Sequence, residues 1–196
     1  MAALPHPKPI LAITMGDPAG IGPEIIVKAL LLPKVWRVCR PLVIGSGPIF
    51  ERTVQSLKTS LSIRVIDDHE ASTAKQAFRR GRLPLFDPFS KPVRSVRLGR
   101  VSAKAGEMGV TCIQSAVQLA QASCVNGIVT APINKEAMHL AMRQHRIVRE
   151  AAIDLFHMAL DHVEHTRISG QFLVRGIADI VALRPVADRR EVDIYE

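Results

Sequence analysis

The chain has 196 residues, 47% hydrophobic and 22% charged, with a formal net charge of +8. That length suits one domain, or one plus a fragment, and that composition excludes wholesale disorder and collagen-like or coiled-coil fibres. No stretch approaches the roughly 20 apolar residues of a membrane helix.

The N-terminal stretch MAALPHPKPILAITMG has prolines where a signal peptide would have its apolar run. Cys39, Cys112 and Cys124 form no Cys-x-x-Cys pair, which indicates neither a zinc ribbon nor a disulfide framework. A cytoplasmic protein is expected. The charge is uneven: residues 1–142 carry 18 Lys and Arg against 9 Asp and Glu, and residues 143–196 carry 8 against 9. The basic excess is densest at Arg79, Arg80 and Arg82, and again from Lys91 to Lys104. Only 8 residues are aromatic, and none lies within the 91–104 run as a base-stacking platform requires. A solvated basic face that attracts an anionic metabolite is favoured over nucleic-acid binding.

Ile10–Thr14 is short, apolar and β-branched at both ends, which predicts a buried strand. It leads into Gly16-Asp17-Pro18-Ala19-Gly20-Ile21-Gly22-Pro23. Pro23 suits the first helical position and Glu24 the positive end of a helix dipole, so a helix follows and stops near Pro33. Residues 41–46 (PLVIGS) repeat the theme, with a second Gly-x-Gly-Pro and a helix to about Lys58. Residues 62–67 predict a third strand. The Pro- and Arg-rich stretch 81–100 predicts a loop or edge hairpin. Residues 102–122 predict the best helix, with Val110, Ile113, Val117 and Ala120 at helical spacing. Gly127–Thr130 predicts a strand that runs through Ala131-Pro132-Ile133 to a helix capped by Asn134. Alternating strands and helices imply an α/β fold with a largely parallel sheet. Ligands of such sheets lie beyond the carboxyl ends of the strands, where both the 15–22 and 131–135 loops fall.

The first loop is neither a Walker loop nor Gly-x-Gly-x-x-Gly. It reads equally as an anion cradle at a helix N-terminus and as a tight turn in which Asp17 bonds nearby amides. In the second loop Thr130, Asn134 and Lys135 either present donors to an anionic substrate or serve as strand end, helix cap and solvated cation. Residues 151–163 predict an amphipathic helix, and FLVRG and DIVAL predict short strands. His157, Asp161, His162, Glu164 and His165 crowd that tail, but without His-Glu-x-x-His they read as a polar face, not a zinc site. Asp67-Asp68-His69 reads as a strand end and helix cap.

Two stretches resemble a known family. Residues 13–25 (ITMGDPAGIGPEI) are similar to the N-terminal signature of 4-hydroxythreonine-4-phosphate dehydrogenases. Residues 99–139, from GRVSAKAGEMGV to TAPINKEAMH, are similar to that family's long helix, strand and TAPINK-type loop. The resemblance covers about residues 9–140. It implies an α/β/α sandwich like that of isocitrate and isopropylmalate dehydrogenases, present incompletely, with a homodimer and an interdomain cleft. It also implies NAD- or NADP-linked oxidation of a small phosphorylated hydroxy-amino acid in pyridoxal phosphate synthesis. A divalent metal such as zinc would act as Lewis acid. Relatives of other substrate range oxidise phosphorylated threonate or erythronate, or aromatic cis-dihydrodiols.

The cleft candidates are Asp17, Gly20, Gly22, Thr130, Asn134 and Lys135. The family's Gly-His-Thr-Glu segment and its three metal-binding histidines, in TTHxPL, NPHAGE and YHDQG contexts, have no counterpart here, so no metal ligand is assigned. Residues 1–142 are therefore expected to form part of the family domain. Residues 143–196 are expected to be a divergent tail, frameshifted or rearranged, which makes a non-catalytic family fragment the alternative reading.

Overall fold

A computed structural model describes residues 8–66, 78–89 and 96–144. The tail at 143–196, its helix and histidines, and Asp67-Asp68-His69 lie outside the described residues, apart from Arg143 and Gln144.

The central strand β1 (Ile10–Thr14) is apolar except for its last residue and alternates fully buried with half-buried positions. It pairs in parallel with β2 (Arg40–Ile44) on one side and with β5 (Gly127–Thr130) on the other. With β3 (Ser62–Val65) and β4 (Arg82–Phe86) the sheet has five strands in the order β3-β4-β2-β1-β5. Near-continuous apolar runs such as Leu42-Val43-Ile44, all 0% exposed, are what a parallel sheet covered on both faces demands.

Between β1 and β2 lie α1 (Gly22–Leu31) and the short α2 (Pro33–Val38). Pro23 stands in the first turn of α1, which buries Pro23, Ile26, Val27 and Leu30 at helical spacing. Helix α3 (Gly47–Ser56) follows β2 and packs beside α1. The chain then steps back across the sheet through α4 (Ala103–Gln121), which packs over β1, β2 and β5. Right-handed crossovers taken in opposite directions put α1 and α3 on one face and α4 on the other. The expected α/β sandwich is thus borne out. Ser102 caps α4, its Oγ accepting from the Ala105 N–H at 3.2 Å. Helix α5 (Lys135–Gln144) follows β5 and packs against α4.

One expectation is corrected. Residues 82–86, read as part of a loop or edge hairpin, form an interior parallel strand between β3 and β2. Pro84 is what disguised it, because proline is normally excluded from central strands. Here the pairing to β2 begins only at Val43↔Leu85, one residue after Pro84, so its missing N–H interrupts no ladder on that side.

Candidate active-site cleft

The direction of the connections reverses between β1 and β5. The loop after β1 leads to α1 on one face, and the loop after β5 leads to α5, which packs on α4 on the other. A crevice opens at such a switch point beyond the strand ends. The two loops that sequence reasoning singled out flank it.

They are joined backbone to backbone. The Asp17 N–H donates to the Pro132 carbonyl at 2.9 Å, and the Ala131 N–H donates to the Thr14 carbonyl at 3.1 Å. Gly16 makes this possible. Its φ is +70°, and a Cβ there would meet the Pro132 oxygen at 2.4 Å. On the far side of the first loop, the Gly99 N–H donates to the Ala19 carbonyl at 2.8 Å, so a third segment holds it.

A small cleft remains, walled by Gly16 and Asp17 on one side and Ile133, Asn134, Ala137 and Met138 on the other, with Ala105, Gly106 and Gly109 of α4 beneath. Asp17 Oδ1 accepts from the Ala19 N–H at 2.8 Å, closing an Asx turn. Its Oδ2 is left as an acceptor. Asn134 Oδ1 accepts from the Ala137 N–H at 3.0 Å and caps α5. That bond fixes the amide so that its NH2 is the group left to donate. Asp17 and Asn134 thus line the same small cleft.

Of the six sequence candidates, the structure brings Asp17 and Asn134 together. The other four lie around it, outside the residues that wall this small cleft. Gly22 packs behind the loop, where a Cβ would meet the Met15 oxygen at 2.3 Å. Gly20 is exposed on the outer side of the Asp17 turn. Thr130 ends β5 in register with Thr14, and Lys135 stands exposed at the head of α5. The first turn of α1 holds Pro23, which lacks an N–H, and Glu24, which pairs with Lys28. It offers an anion few donors and an opposing charge.

Sequence reasoning missed Gly106 and Gly109. Two glycines three apart inside an otherwise strong helix are a signal of close packing, since each weakens the helix by about 1 kcal/mol relative to alanine. Among the described residues no three His, Cys, Asp or Glu side chains come together to hold a metal. No helix among them is long and apolar enough to cross a membrane.

Beneath the cleft Cys112 is fully buried, and burial pushes its thiol well above the ordinary range. A hydrogen bond with the Met15 backbone opposes that shift, and the charge of Asp87 adds to it.

Comparison with known proteins identifies the architecture. A sequence profile described as pyridoxal phosphate biosynthetic protein PdxA matches residues 37–176. A candidate D-threonate 4-phosphate dehydrogenase of Symbiobacterium thermophilum is 32% identical over 164 residues, covering 84% of this chain and 43% of that protein. The 4-hydroxythreonine-4-phosphate dehydrogenase of Desulfosudis oleivorans is 37% identical over 136 residues, 69% of this chain and 39% of its own length. The crystal structure of a 4-hydroxythreonine-4-phosphate dehydrogenase from Burkholderia phymatum superimposes with a TM-score of 0.63 at 39% identity, covering 69% of this chain and 40% of that one. The chain thus spans about two-fifths of the length of these relatives. With the profile covering well over half of its residues, this chain belongs to the PdxA family.

Proposed function

We propose that this chain carries the substrate-facing part of a nicotinamide-dependent dehydrogenase that oxidises the secondary alcohol of a small phosphorylated hydroxy acid. The observation that carries the reading is the joined pair of loops at the sheet's switch point, with Asp17 and Asn134 facing one cleft. In this reading Asp17 Oδ2 accepts from a substrate hydroxyl or ammonium group. Asn134 donates to a substrate oxygen, and Thr130 and Lys135 add donors at the rim. NAD or NADP supplies the hydride acceptor when bound. The substrate is 4-phosphohydroxy-L-threonine, on the route to pyridoxal phosphate, and the working form is a cytoplasmic homodimer. The described residues do not by themselves fit a catalytic metal, and no step is assigned through one.

A second substrate is favoured by the relatives' own descriptions. Those from Symbiobacterium thermophilum and Halalkalibacterium halodurans are described as candidates for acting on D-threonate 4-phosphate. Both compounds offer an alcohol flanked by a carboxylate and a terminal phosphate, so the same donor and acceptor serve either.

The test is reduction of NAD and of NADP by the purified chain with each compound, with and without added zinc. Turnover with one compound assigns the substrate. Absence of turnover with both, at high protein concentration, overturns the dehydrogenase reading and leaves a non-catalytic family member.

A further inference from the structure

The structure assigns Gly106 a positioning role: it sets how closely the first turn of α5 approaches the Asp17 loop, and hence the spacing between the Asp17 acceptor and the Asn134 donor. This rests on the cleft being the substrate site. A Cβ on Gly106 would stand 2.0 Å from the Ala137 oxygen, 2.3 Å from the Ala137 carbonyl carbon and 2.7 Å from the Met138 nitrogen. All three are backbone atoms of the first turn of α5, so no side chain can rotate away to relieve the contact. One turn further along the same face of α4, a Cβ on Gly109 would stand 3.5 Å from the Gly16 oxygen. Helix α4 therefore touches both walls of the cleft, and its surface at 106 sets the position of one wall relative to the other.

Nothing in the loop itself does this. The Asp17 N–H holds the chain only as far as Pro132, and Asn134 follows two residues later. The direction in which α5 leaves that anchor depends on what it rests against. It rests on α4, with Met138 and Ala141 packed against Val110 and Ile113. Glycine weakens a helix relative to alanine, and at 106 that loss is exchanged for a backbone-to-backbone approach no other residue permits. The Asn134 cap moves with the turn, because its Oδ1 is bonded to the Ala137 N–H.

The test compares Gly106→Ala with Leu119→Ala, a core truncation at the far end of the same helix. Both lower the melting temperature. Gly106→Ala is expected to raise KM for 4-phosphohydroxy-L-threonine or D-threonate 4-phosphate about tenfold while kcat stays within about threefold, the signature of lost positioning in binding. Amide hydrogen exchange at Ala137 and Met138 speeds up in the same variant and not in Leu119→Ala. If Gly106→Ala does not fold, Ala137→Gly loosens the same crossing without a clash and gives the same KM shift at a smaller stability loss. Unchanged exchange at Ala137 and Met138, or an equal KM rise in Leu119→Ala, overturns the assignment. If the wild type turns over neither compound, the functional reading fails by itself, and the exchange comparison still decides whether Gly106 positions this wall.

Discussion

Two corners of this molecule are built from the same sequence pattern and end in different states. After β1 the chain runs through Gly20-Ile21-Gly22-Pro23 into α1, and after β2 through Gly45-Ser46-Gly47-Pro48 into α3. The second corner is filled from within. Asp87, at the end of β4, accepts from the Gly47 N–H at 2.7 Å through Oδ2 and from the Phe89 N–H at 3.0 Å through Oδ1. Phe50 and Met15 crowd Gly45 so closely that a Cβ there would lie 2.7 Å from the Phe50 ring. Among the described residues the first corner has no such plug. Asp17 bonds its own loop with one oxygen, and the space beside it faces Asn134. A strand–Gly-x-Gly-Pro–helix corner is thus a device for turning the chain. Whether it becomes a site depends on what a distant segment places in it.

The largest expected effect breaks the open corner outright. Gly16→Ala forces a side chain onto a φ of +70° and to 2.4 Å from a backbone oxygen. A loss of about 3 kcal/mol or more is expected, since neither strain nor clash can relax without parting the two loops. Gly47→Ala is the counterpart in the filled corner. Its Cβ would stand 3.3 Å from Asp87 Oδ2, a side-chain atom that can shift, so a loss of about 1 kcal/mol or less is expected. Chemical denaturation of both variants measures the difference, and equal losses would break the comparison.

Asn134→Asp sharpens it. Aspartate caps a helix as well as asparagine, so α5 keeps its cap and stability stays within about 0.5 kcal/mol. The outward NH2 becomes an oxygen carrying negative charge. If the open corner receives an anionic substrate, KM rises on the order of 100-fold through a lost donor and an added repulsion. A KM that does not move would confine Asn134 to capping.

Much of this contrast was legible in the sequence, and the reasons are particular. ILAIT and PLVI announce buried strands by composition alone, and Asn134 reads as a cap because a residue type favoured at helix N-caps stands just ahead of a helix-forming run. The strand at 82–86 was not legible, because Pro84 and the neighbouring arginines imitate a loop and only the late start of the β2 pairing excuses the proline. The separate fates of the two corners were not legible either. Asp87 lies 40 residues from Gly47, and the Pro132 oxygen lies 116 residues from Gly16. No local pattern encodes which partner arrives. The candidates Gly20 and Gly22 share the conspicuous motif with Asp17 but serve its turn and packing, whereas Gly106 carries no motif and stands directly beneath the cleft.

A smaller effect is expected from emptying the filled corner. Asp87→Ala removes acceptors from two backbone N–H groups and from the head of α3, a loss of about 1–2 kcal/mol. KM for the phosphorylated substrates should not change, because Asp87 works in the corner that its own carboxylate fills. A KM rise with preserved stability would mean that the two corners act together.

The smallest effect lies where the corners meet. Cys112 feels both: the Met15 backbone from one side and the Asp87 charge from the other, within a burial that dominates the raised thiol pKa. A thiol that holds its proton more tightly when folded contributes stability that is complete below the unfolded thiol's ordinary value of 9.0 and declines as pH rises above it. The decline reaches at most about 1.4 kcal/mol per pH unit for one such group. Cys39, also raised chiefly by burial, adds to the same limb. Cys112→Val, close in volume and without a proton to lose, should flatten the alkaline limb of the stability–pH curve while leaving stability near neutrality within about 1.5 kcal/mol. Asp87→Asn should move that limb less and in a defined direction. Without the neighbouring charge the folded thiol ionises at lower pH, so the decline ends sooner. A Cys112→Val limb as steep as the wild type's would assign the lost proton elsewhere and remove the thiol as a reporter on the boundary between the two corners.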